Sequence, residues 1–89
     1  MTKWPAPIIR LYLGQLTPEA VLTAADTSDI KAKRGRVCEA NFYSGALALQ
    51  RGERKEAARL YGLAASSCPE DFMERREANA VLKALSADH

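Results

Sequence analysis

The chain has 89 residues, 47% hydrophobic and 27% charged, which places it among folded globular chains with room for one core. Thirteen Lys and Arg against eleven Asp and Glu leave a formal charge of +2, too small for a general field toward a phosphate backbone or an acidic membrane surface. No apolar run approaches the roughly 18 residues of a membrane span, and the start MTKWPAPIIRLYLG, with two prolines, Lys3 and Arg10, is unlike a secretory signal.

Glycine and proline divide the chain into helical pieces. Pro7 suits the first turn of a helix, where its missing N–H costs nothing; Ile8, Ile9, Leu11, Tyr12 and Leu13 follow, with Gly14 as the stop. Thr17-Pro18-Glu19 predicts a second short helix to about Ala25: a hydroxyl cap, a first-position proline and an acid at the positive end of the dipole. Residues 26–29 are polar, and Ser28 or Asp29 is placed to cap a third helix. That helix looks longest, since Ile30, Arg34, Val37, Cys38, Asn41, Phe42, Gly45, Ala46 and Leu49 recur at spacings of three and four. Tyr43 and Leu47 add a second apolar edge, so packing on more than one side is expected. Gly52 ends it.

A fourth helix from near Glu53 carries Ala57, Leu60, Tyr61, Ala64 and Cys68 on one stripe, with Glu56 and Arg59 outside and Pro69 as its stop. A fifth opens at Asp71, turning Phe72, Ala78, Val81, Leu82 and Leu85 inward; acids cluster at its start and Lys83 lies near its end. No segment shows the period-two alternation of a strand. The expected fold is all-α, an antiparallel helix-hairpin stack in a single domain spanning 1–89. It comprises a short pair (about 7–25), a long pair (about 30–68) and a C-terminal capping helix (about 71–86).

Cys38 to Asp71 is a 34-residue unit, the period of a tetratricopeptide repeat. Gly45, Gly52, Ala57, Tyr61, Ala64 and Pro69 stand where that unit needs close helix approach, a turn, a filler beside the crossing and a break. Asn41 and Ser44 depart from it, standing where the family usually has a large aromatic and a leucine. The run NFYSGALALQRGERKEAARLYGLAASSC, then FMERREANAVLKAL, with the leading WPAPIIRLYLGQLTPEAVL, resembles the C-terminal helical part of bacterial NlpI-like lipoproteins. That resemblance implies a non-catalytic cell-envelope adaptor. The lipoprotein signal and the earlier repeats are not in the sequence, so lipid anchoring does not carry over.

By the same resemblance the ligand groove would be lined by the first helix of the long pair: Glu39, Phe42, Ala46, Leu49 and Gln50. Helical spacing equally allows Phe42 and Leu49 to be core. Phe42, Tyr43 and Ala46 stand where family members place the Lys and Asn that clamp a C-terminal carboxylate, so a chaperone-tail receptor is not expected. The expected partner is another protein or peptide. A second possibility is self-association, as a homo-oligomer or as the end of a longer repeat array, through Trp4, Ile8, Ile9 and Tyr12. Lys31, Lys33, Arg34 and Arg36 form a basic segment, but without interleaved aromatics it reads as a solvated helix start rather than a nucleic-acid site.

Two cysteines are too few for a zinc site, and neither metal nor cofactor is expected. Cys38 lies 14 residues before Gly52 and Cys68 16 after it, so in a hairpin turning at Gly52 both sit near the open end. They either form a disulfide or pack as two reduced thiols. Catalysis has no visible basis: Ser66 and Ser67 have no nearby His, His89 is terminal, and Glu70, Asp71 and Glu74 are what a helix start attracts. A cytoplasmic protein beginning at Met1 and an excised piece of a periplasmic or envelope protein fit the sequence equally.

Overall fold

The computed structural model describes residues 4–87, with side chains through Ser86. Its five helices are α1 (Ala6–Tyr12), α2 (Pro18–Ala24), α3 (Ile30–Gln50), α4 (Arg54–Ser67) and α5 (Met73–Ala87), and no strand occurs among the described residues. The expected all-α stack of helix hairpins is the observed architecture.

The helix ends follow from local chemistry. Ala20 N–H donates to Thr17 Oγ1 at 3.1 Å, and Ala32 N–H donates to Asp29 Oδ1 at 3.2 Å, so side chains satisfy amides at the starts of α2 and α3. Gly52 closes α3 at φ 79°, letting its N–H reach Leu49 O (3.0 Å) and the Glu53 N–H reach Ala48 O (2.9 Å). Gly14 repeats this closure on α1 at φ 77°. Three sequence expectations shift. The first helix begins at Ala6, one residue before Pro7, so Pro7 occupies its second position. α5 starts at Met73 rather than Asp71, because the Phe72 N–H bonds Pro69 O at 3.1 Å and commits 69–72 to a turn. Ile30 is 83% exposed, since the 21 residues of α3 outrun the 14 of α4 and leave its first turn uncovered.

α3 packs against all four other helices, most extensively against α4, and α5 lies on α4. One core cluster joins Cys38, Phe42 and Ala48 of α3 to Ala57, Leu60, Tyr61 and Ala64 of α4 and Ala78 of α5. Its alanines let the helices approach closely. At Gly45 the approach is closer still: an added Cβ would stand 3.2 Å from Tyr61 Cδ2 and 3.3 Å from Leu60 Cβ. A second cluster seats Leu11 of α1 and Val21 of α2 on Ala40 and Leu47 of α3. The Cα trace measures 41 × 29 × 15 Å, and its shortest dimension is about that of two packed helix layers. Cys38 and Cys68, both fully buried, are joined in a disulfide with Cα atoms 4.6 Å apart.

Candidate functional site

Helical spacing puts Glu39, Tyr43, Ala46 and Gln50 on one side of α3 and Asn41, Ser44 and Ala48 on the other. The first side faces α1 and α5. Trp4 Nε1 donates to Glu39 Oε1 at 2.7 Å, and Tyr12 Oη donates to the Tyr43 carbonyl at 2.8 Å, so two residues of the N-terminal segment are anchored along α3. Tyr12 lies within electrostatic reach of Tyr43 and Tyr61, and Tyr61 itself is buried in the α3–α4 core. Each phenol is held above its ordinary pKa, chiefly by burial: Tyr12 also by Tyr61 and Tyr43, Tyr43 also by Glu74, Glu39 and Glu77, and Tyr61 also by Glu77. A hollow of about 350 Å³ runs along α5 past Met73, Arg76, Glu77 and Ala80. Tyr43 on this side is within electrostatic reach of Glu39, Glu74 and Glu77, and Arg76 stands beside Glu77 in the α5 hollow.

Of the residues expected to line a groove, Glu39, Ala46 and Gln50 lie on this side. Phe42 is 9% exposed and sits in the core, edge-on to Tyr43 and Tyr61 with ring centroids 5.1 and 5.5 Å away. Leu49 is half-buried against the same core. Tyr43 takes the place on the face that was expected of Phe42. Its position four residues after Glu39 and three before Ala46 was the available signal.

The residues considered for self-association divide. Trp4 and Ile8 pack against the α1–α2–α3 cluster, whereas Ile9 is 58% and Tyr12 41% exposed. In the basic segment Lys31, Lys33 and Arg34 are exposed, Arg36 is half-buried, and Lys33 pairs with Asp26 at 3.1 Å. Among the described residues no group of His, Cys, Asp and Glu has the geometry to hold a metal ion, and no helix is long and apolar enough to cross a membrane. His89 lies outside the described residues. Compared with protein-family models, with curated proteins and with solved structures, the chain matches none of them.

Proposed function

We propose that this chain is a non-catalytic protein-interaction module of tetratricopeptide type, and that the α1–α3–α5 face takes a partner segment bearing basic side chains. The observation that carries the reading is the chemistry of that face. Tyr12 and Tyr43 offer ring surface, and Glu39, Glu74 and Glu77 supply negative charge around it. Rings beside carboxylates suit Lys and Arg, which gain both charge pairing and cation–π contact. The resemblance to the C-terminal helical part of NlpI-like lipoproteins supports an adaptor role in the cell envelope, and the buried Cys38–Cys68 disulfide suits an oxidising compartment.

The test uses a peptide array in which matched sequences differ only in carrying Lys and Arg or their neutral replacements. The expected result is selective capture of the basic peptides, weakened by salt and lost in a Glu74→Lys, Glu77→Lys variant that keeps its helical circular dichroism. Equal capture of neutral peptides, or retention by the charge-reversed variant, overturns the reading. A second reading, self-association through α1, is favoured by the exposure of Ile9 (58%) and Leu13 (65%). A light-scattering mass that stays monomeric at high concentration removes it.

A further inference from the structure

We infer that Trp4 is an autoinhibitory gate over Glu39: in the free chain its indole occupies the carboxylate that a partner's lysine or arginine takes, and binding releases the indole. The inference deepens the basic-partner reading above and rests on it. Trp4 Nε1 donates to Glu39 Oε1 at 2.7 Å, and both side chains are half-buried. The indole N–H is a neutral donor, so it satisfies an oxygen of Glu39 without cancelling its charge. Among the described residues no ion pair reaches Glu39, Arg36 one turn earlier on α3 included. Its charge is felt at Tyr43, so a cation drawn to Glu39 comes to rest beside that ring.

Glu39 differs in this from the other acids near it. Glu77 shares the α5 hollow with Arg76, and on α4 Glu56 is bonded twice by Arg59. A bond between two opposite charges is roughly twice as strong as one from a neutral donor, so an ammonium or guanidinium outcompetes the indole for this carboxylate. Release of the indole leaves the helix behind it intact. The backbone bonds that open α1 run from the Ile8 and Ile9 N–H groups to Pro5 O, beyond Trp4. At the far end of α1 the Tyr12 hydroxyl stays on the Tyr43 carbonyl. What the indole gives up is its bond to Glu39 and its packing beside the Leu11–Val21–Ala40–Leu47 cluster. That loss is the barrier a partner must overcome, and it lowers the apparent affinity of the face.

The experiment titrates the intact chain with a capped pentapeptide of alternating alanine and arginine, and with a counterpart carrying glutamine for arginine. Trp4 is the only tryptophan, so emission reports the gate alone, while backbone amide shifts give the affinity. The arginine peptide should move the emission to the red, and the glutamine peptide should leave it in place. Trp4→Phe keeps an apolar ring but removes the competing N–H, and should tighten arginine-peptide binding about fivefold. In a Glu39→Gln background the same change should give no gain, which separates a gate from a general loosening of α1. Arginine-peptide binding with unchanged Trp4 emission overturns the gate alone. So does weaker binding by Trp4→Phe, which makes the indole a wall of the site, or a gain that survives Glu39→Gln. Binding by neither the natural chain nor Trp4→Phe overturns the basic-partner reading and the gate together.

Discussion

The α3–α4–α5 stack and the α1–α2 pair are held by different kinds of contact. The stack is fastened by a buried disulfide, by alanines with no exposed surface, and by a glycine that lets α3 and α4 nearly touch. The pair consists of two seven-residue helices, too short to persist alone. It depends on end caps, on Leu11 and Val21 seated against Ala40 and Leu47, and on single hydrogen bonds from Trp4 and Tyr12 to α3. The difference separates a rigid backing from a wall that is cheaper to displace. The two regions meet on both sides of α3: Tyr12 closes one side, and Pro18, Glu19 and Leu22 close the other.

The largest expected effect is on the stack. Reduction of Cys38–Cys68 opens a loop spanning a sequence separation of 30, for which chain entropy gives about 3.5 kcal/mol. In a domain of this size that lowers Tm by roughly 15–25 °C. Thermal unfolding at 222 nm, with and without reductant, measures it. Equal melting temperatures would mean that packing alone fastens the stack.

Glycines provide a second, smaller contrast within the same region. Gly45→Ala places a methyl 3.2–3.3 Å from Tyr61 and Leu60 and should destabilise by about 1–2 kcal/mol. Gly62→Ala meets nothing within 4 Å in the middle of α4 and should stabilise by about 0.5–1 kcal/mol. Opposite signs in chemical denaturation confirm a close α3–α4 crossing, and equal signs break it.

The stack was far more legible in the sequence than the surfaces it supports. Gly52, Pro69 and the Ala57–Tyr61–Ala64 stripe act through local backbone rules and helical period, so they mark the hairpin directly. Asp71 misled because an acid before an apolar run resembles a helix start, whereas the bond from Phe72 to Pro69 that defers the start is a turn property. Phe42 and Tyr43 are neighbours on a helix buried on several sides, and periodicity alone does not say which ring faces a groove. The hollow lined by Pro18, Leu22 and Leu60 depends on where α2 crosses, which no spacing within α3 encodes. Glu39 was expected as a groove residue, but its bond to Trp4 spans 35 positions and has no local sign.

The Trp4–Glu39 bond tests the weaker region. Glu39→Gln replaces a charge-assisted acceptor with a neutral one and should cost about 1 kcal/mol, with the loss concentrated in the pair. Trp4 is the only tryptophan, so its emission reports that pair alone. In the variant it should shift to the red at temperatures where the 222 nm signal is still native. Coincident transitions would show that the pair and the stack unfold as one unit, erasing the distinction between wall and backing.

The smallest effect appears at alkaline pH. The chain has three tyrosines, Tyr12 and Tyr43 on the α1–α3–α5 face and Tyr61 in the core beneath, and burial first, then neighbouring tyrosines or glutamates, raises each above the ordinary 10.0. Below pH 10 these phenols are protonated in both the folded and the unfolded chain and add no slope to stability. Above it the unfolded chain releases protons that the folded chain retains, so stability falls as pH rises from 10 through the folded pKa values. Absorbance at 295 nm should show tyrosinate forming later than in denaturant, and Glu77→Gln should bring that onset earlier, because the Glu77 charge raises Tyr43 and Tyr61. Glu39→Gln separates the three. At temperatures where the variant's pair has opened and the stack has not, Tyr12 returns toward its ordinary value, while Tyr61, held by the stack and Glu77, stays raised. An early single-phenol step in the variant's titration therefore assigns one wall of the face to the pair, and its absence places all three rings with the stack.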